Sequence, residues 1–156
     1  MTRGLPGDTG LLVRRALVAL TAVGIAAAAF ELYGERHWNG PEQLVPWAAL
    51  AVLAVATVLV LLPGGAARTT GRVLALLVLA ASVYGVADHI LVNYDSGALD
   101  QRFADSWDTL PMPTRWWYAA SKQVGPAPTL APGVLGQTAA LLLLATIGGP
   151  LRPTVR

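Results

Sequence analysis

The sequence predicts an all-α membrane protein: a four-transmembrane-helix bundle of two hairpins, with both termini cytoplasmic and a short helical outer loop capping one end. Three observations predict it. The 156 residues are 54% hydrophobic and only 13% charged, about half the charged share of soluble domains, and their mean hydropathy is +0.54. The apolar residues are gathered into four blocks bounded by helix breakers. The basic residues are divided unevenly between the segments that join those blocks. Together they give one integral membrane domain over 1–156, with spans at about 12–34, 46–63, 72–93 and 130–148 and an outer loop at 94–127.

The first span has its core at Ala16–Phe30, extended by Leu11–Val13 before it and Glu31–Tyr33 after it. Arg14-Arg15 followed by this stretch and the Ala26–Ala29 run also has the pattern of a secretory signal peptide. Helical continuity into Glu31–Trp38 favours a retained helix. The second span, Trp47–Leu62, follows Pro41 and Pro46 and stops at Pro63-Gly64-Gly65. The third runs over Val73–Ala87, with Ile90–Val92 beyond a polar break. The fourth covers roughly Leu130–Ile147, with Pro132 suited to its first turn and Gly148-Gly149-Pro150 to end it. Cores of ~15–18 residues rise about 22–27 Å, and with their flanks they cross a ~30 Å hydrocarbon layer. No 3.6-residue amphipathic period hides their surfaces from water.

Arginines set the orientation. Arg3, Arg14, Arg15, Arg68, Arg72, Arg152 and Arg156 lie in the first, third and fifth joining segments, with Asp8 as the one acid. The other side holds Arg36, Arg102, Arg115 and Lys122 against eight acids, so +6 faces −4 within a chain of net charge +2. The positive-inside rule puts both termini and the short Pro63–Arg72 turn in the cytoplasm. All five tryptophans (Trp38, Trp47, Trp107, Trp116, Trp117) fall on the outer side, where indoles sit well at the headgroup boundary. Abundant Ala, Gly and Arg with a single Lys fit a GC-rich bacterial genome, hence a bacterial plasma membrane. A faint echo, Arg15 to Glu31 and Arg72 to Asp88, hints at a repeated hairpin.

The chain has no cysteine, which removes disulfides, thiolate catalysis, Fe–S ligation and Cys-type zinc sites. It also lacks a phosphate-binding glycine loop, a G-x-S-x-G elbow and H-E-x-x-H, and its modest charge gives no reason to expect nucleic acid. What stands out is a polar layer at the outer ends of the spans, where ionised groups still cost free energy. Glu31 and Glu35 share a helix face at i, i+4. On the third span Ser82, Gly85, His89 and Asn93 form a small or polar stripe, with Tyr84, Asp88 and Asp95 alongside. Such a stripe turns toward other helices, because lipid cannot satisfy it.

Glu31, Glu35, Asp88 and His89 are therefore the candidate ligands of one divalent metal ion (Zn, Mn, Fe or Cu). His37, Asn93, Tyr84 and the lone intramembrane amide Gln137 are candidate supporting groups. The Glu-x-x-His spacing of di-iron bundles is absent, and haem between His37 and His89 is a poorer fit. A small polar ligand or a proton-handling site would use the same groups. In the plainest alternative the acids pair with Arg36, Arg102, Arg115 or Lys122. The outer loop places Leu99, Phe103 and Trp107 at i, i+4, i+8, which predicts a short amphipathic helix over Leu99–Asp108 ended by Pro111 and Pro113. A second, aromatic helix is expected over Thr114–Lys122, capped by Thr114, followed by an extended Gly125–Pro128. Gly133 and Gly136 would allow close helix contact. Function thus divides between a metal- or ligand-binding membrane protein and a non-catalytic accessory or assembly subunit. In the second case the aromatic loop would contact a membrane-protein partner or a second copy.

Overall fold

The computed structural model describes residues 6–147. The Gly148-Gly149-Pro150 stop, the last residue of the fourth expected span and Arg3, Arg152 and Arg156 lie outside them. The described chain is all-helical: α1 Pro6–Gly34, α2 Pro41–Leu61, α3 Gly65–Ser96, α4 Met112–Ala120 and α5 Ala131–Ala145. Short 3-10 turns fall at Gly97–Leu99 and Trp107–Thr109. Three helical stretches, Thr9–Gly34, Pro41–Leu61 and Gly65–Leu99, are long and apolar enough to cross a bilayer, while α5 is a shorter apolar helix. They point to a multi-pass membrane protein in contact with lipid.

Helix ends differ from the sequence expectation where local chemistry overrides pattern. α2 starts at Pro41, not after Pro46, with Gly40 as its extended N-cap. Proline suits the first helical positions, and the bond that Pro46 cannot donate falls near the polar start of the helix, by Glu42. α3 starts at Gly65, so the expected Pro63–Arg72 turn is confined to a few residues around Gly64, whose φ is +114°. Ala66, Ala67 and Arg68 are good helix formers and extend α3 to 32 residues, about 48 Å. α1 closes with Arg36 in the left-handed region (φ 50°). The His37 N–H reaches Leu32 O at 2.9 Å and the Arg36 N–H reaches Tyr33 O at 3.1 Å, which is the Schellman pattern.

The chain forms two compact units. The first holds residues 6–81 and 134–147 of the described chain. Its core joins Val18 and Ala28 of α1, Leu50, Leu53, Ala56 and Val60 of α2, Ala75 and Val78 of α3, and Leu135, Ala139, Leu142 and Ala145 of α5. The pattern is inverted relative to a soluble bundle. Small residues and hydroxyls such as Ala56, Ala75, Ala139 and Thr21 are fully buried, while Val23, Phe30, Val58 and Leu77 are exposed. Close backbone approach between small residues is how helices associate when lipid is as apolar as the core. Gly71 shows it: a Cβ there would lie 2.9 Å from Ala56 O and 2.8 Å from Val60 Cγ2. Arg14 donates its Nε–H to Ala145 O at 2.8 Å, tying α1 to the last carbonyls of α5.

The second unit is Ser82–Gly133. Its core is aromatic: Trp107, Ala119 and Val124 are buried, with Ile90, Tyr94, Phe103, Leu110 and Tyr118 against them. The amphipathic helix expected over Leu99–Asp108 does not form. Asp100 Oδ1 accepts the Arg102 N–H at 3.0 Å, an Asx-type turn that competes with helix. Leu99 faces outward while Phe103 and Trp107 pack inward. Nor does Thr114 start the next helix: α4 begins at Met112 after Pro111, with Pro113 in its first turn. It ends at Lys122, in the left-handed region at φ 61°, by a second Schellman-type closure from the Gln123 N–H to Tyr118 O at 2.9 Å.

The stripe on α3 is real: Ser82 and Asn93 are buried and Gly85 and His89 half-buried, whereas Tyr84, Asp88 and Asp95 lie on the exposed side. A Cβ on Gly85 would sit 2.9 Å from Pro132 Cβ, and a proline ring has little freedom to yield. Gly85→Leu should therefore lower stability by about 1–3 kcal/mol through overpacking. Leu76→Val on the exposed face should change it little. Thermal unfolding in detergent micelles checks both, and equal tolerance would contradict the packing described.

Candidate functional site

Asn93 is the centre of the polar stripe on α3. It is 0% exposed, and its carboxamide faces Ala127 edge to edge: Oδ1 accepts the Ala127 N–H at 2.8 Å and Nδ2 donates to Ala127 O at 2.9 Å. The second amide proton is shared between Ala119 O and Thr129 Oγ1, both at 3.2 Å, and the Thr129 hydroxyl donates to Ala119 O at 3.4 Å. The local sequence explains the arrangement. Ala127 stands between Pro126 and Pro128, which lack N–H groups and hold the chain extended. Its own backbone groups need an outside partner, and a primary amide supplies donor and acceptor at once. Gly125, at φ +79°, brings the backbone so close that a Cβ would collide with Asn93. Asn93 is thus a structural bracket, its amide engaged by backbone and Thr129.

His89 is half-buried, with Nδ1 2.9 Å from Pro128 O. A carbonyl only accepts, so Nδ1 carries the proton, and in the neutral ring Nε2 keeps its lone pair. Ser82 Oγ donates to Pro132 O at 2.6 Å. Three polar side chains of the α3 stripe therefore bind the segment 127–132 through its backbone. Asp88, one residue before His89, points to the exposed side, as does Tyr84.

Glu31 and Glu35 follow each other on the exposed side at the end of α1, joined by the Glu35 N–H to Glu31 O bond at 2.9 Å. His37 is half-buried, and its carbonyl accepts the Trp47 Nε1–H at 2.7 Å. Gln137 lies on the exposed side of α5. Among the described residues no group of three or more His, Asp or Glu side chains is placed to hold a metal ion.

The basic side chains described for the segment 94–127 have partners within that segment. Arg102 binds Asp100 at 2.7 Å and Gln123 O at 2.5 Å. Arg115 lies 3.9 Å from Asp108 and 5.7 Å from the Tyr94 ring centroid, and Lys122 Nζ donates to Gly125 O. The cations fasten their own loops. So do most of the tryptophans expected as membrane anchors. Trp107 is 3% exposed and covers Gly97, Trp116 stacks on Tyr94 at 4.5 Å, and Trp38 meets Tyr33 at 5.5 Å. Trp117, 63% exposed on α4, is the most outward-facing of the five tryptophans. The groups not singled out from the sequence are Ala119, Gly125, Ala127 and Thr129. Their signal was the Gly-Pro-Ala-Pro run, which left backbone groups in need of a partner.

Two predictions follow from this geometry. Asn93→Leu leaves the half-buried Ala127 N–H and C=O without the Asn93 amide that pairs them, at about 1–3 kcal/mol for each group. It should open the segment 121–130 to proteolysis, whereas Tyr84→Phe should not. The Asp100 carboxyl is pulled from 3.8 to about 2, first by the hydrogen bond from the Arg102 guanidinium and then by the Arg102 backbone N–H. A folded-state pKa below the ordinary value means that this clamp contributes in full above pH 3.8 and is lost as pH falls through about 2. Hydrogen exchange over 97–125 should accelerate across that window in the wild type. In Asp100→Asn it should be fast already and lack the acid step. Comparison with protein-family models, with curated proteins and with solved structures returned no match.

Proposed function

We propose that this chain is a four-span membrane protein acting as a non-catalytic accessory or assembly subunit. Both termini lie in the cytoplasm, and residues 94–127 form a folded outer section that meets a partner. α5 serves as the fourth, short span, and the arginine asymmetry supports the sidedness. One observation carries the reading: the polar side chains best placed for chemistry, Asn93, His89 through Nδ1 and Arg102, are bound to backbone carbonyls of residues 123–128. What that section offers outward is an apolar and aromatic face, with Trp117 and Met112 on α4. In a bacterial plasma membrane this face would sit at the outer headgroup boundary or against a neighbouring membrane protein.

A second reading keeps the metal. Nδ1–H donation to a backbone carbonyl is how ligating histidines are commonly oriented, and it leaves His89 Nε2 available next to exposed Asp88. One divalent ion on these two groups, with Glu31 and Glu35 as further candidates, is that proposal.

Two measurements test the function. Cysteine at Ser96 or Ser106 should react with an impermeant thiol reagent in intact cells, and cysteine at Thr69 should not; the reverse pattern overturns the topology. Protein purified without chelators should carry no stoichiometric Zn, Mn, Fe or Cu. Metal present in the wild type and lost in both His89→Ala and Glu31→Gln overturns the accessory reading and establishes the second.

A further inference from the structure

One polar side chain of the apolar helices lacks what its counterparts have. The hydroxyls of Thr21, Thr57 and Thr138 each donate to the carbonyl four residues earlier in their own helix, at 2.9, 2.8 and 2.7 Å. Gln137 stands near the middle of the 15-residue α5, on its exposed side. Its carboxamide has no hydrogen-bond partner among the described residues. Hydrocarbon cannot satisfy a primary amide. With about 10 Å of helix on either side, the side chain is too short to reach an interface. A protein group at the same depth has to meet it.

Two arguments identify that group. A carboxamide is complementary to itself: across a twofold axis, the positive N–H edge of one faces the negative C=O of the other, and each gives and receives one bond. Two copies inserted with the same orientation also bring their Gln137 residues to equal depth without further constraint. The surrounding face fits a helix partner. Val134, Gln137, Leu141 and Leu144 follow the three-four-three spacing of a helix seam. Val134 and Leu144 are exposed and Leu141 half-buried, and a single polar residue within such a seam fixes register.

We propose that the chain forms a twofold-symmetric dimer in the membrane through this face of α5, with the two Gln137 carboxamides paired at its centre. The inference deepens the accessory-subunit reading and rests on α5 being embedded in lipid.

The absence of cysteine makes single-cysteine variants free of background. In native membranes treated with a copper–phenanthroline oxidant, the full chain with cysteine at Val134, Leu141 or Leu144 should form disulfide-linked dimers. Cysteine at Val55 or Leu76, exposed on α2 and α3, should not. Adding Gln137→Leu to Leu141→Cys should reduce cross-linking about three- to tenfold, in keeping with measured polar contacts between membrane helices, and Gln137→Asn should retain most of it. Cross-linking at the α5 positions no stronger than at Val55 or Leu76 overturns the dimer, and indifference to Gln137→Leu overturns the amide pair. Depth is read separately with Gln137→Cys, which removes the amide. Protection from a water-soluble maleimide in opened membranes supports an embedded α5. Ready labelling overturns the fourth span, and the dimer with it.

Discussion

The Ser82–Gly133 unit depends on one buried carboxamide. Asn93 is fully enclosed, and its four polar contacts reach the end of α4 and the extended run before α5. The extended run has few hydrogen bonds of its own, because Pro126 and Pro128 remove donors from it. A buried amide with both edges satisfied is specific in a way an apolar contact is not: displacing Ala127 leaves a donor and an acceptor unpaired at the same time. That is how a segment of prolines, glycine and small residues is held in one conformation. Ser82 and His89 repeat the device on the same helix face, each binding a proline carbonyl.

The helices of the first unit follow a different economy. Their buried faces mix alanine, threonine and glycine with a few leucines and valines such as Leu53 and Leu142, while many of their large side chains face outward. Burying apolar area cannot drive association in lipid, so contact has to come from close packing. Gly71 against Ala56 O and Gly24 against Thr138 are places where even a methyl group would intrude. Buried threonines bond within their own helices, so the bundle needs no polar link between helices for them. In such a setting a side chain with unspent hydrogen-bonding capacity stands out. Gln137 is informative for that reason.

Much of this was legible in the sequence, and the part that was not has a physical cause. Hydropathy located the long helices, because composition over twenty residues is an averaged signal. The Ser82–Gly85–His89–Asn93 stripe was visible from helical spacing alone, since those residues lie on a single helix whose geometry is fixed. The outer loop was misread because its pattern could be met in two ways. Leu99, Phe103 and Trp107 have helical spacing, but Asp100 captures the Arg102 N–H and the chain folds into separate turns. Convergence of the acids was the least legible feature. Spacing shows which residues share a face of one helix, not whether faces of different helices meet. Glu31 and Glu35 do share a face, and it is an exposed one.

The partition of charge around the loops connects the fold with the functional reading. Two of its cations, Arg102 and Arg115, are directed at loop acids, Asp100 and Asp108, and two more, Arg36 and Lys122, occupy left-handed positions that close α1 and α4. Cations near helix C-termini also sit well against the helix dipole. They are committed to shaping turns, while Glu31, Glu35, Asp88 and Asp95 remain exposed. An acidic excess of this kind acts over about a Debye length, ~8 Å at physiological salt, and draws in whatever positive group can approach. A single metal ion would need several of these carboxylates at one point. The accessory reading proposed above would ask for no such convergence, because a positive group on a partner could meet one exposed carboxylate at a time, and that is a far smaller demand on the geometry.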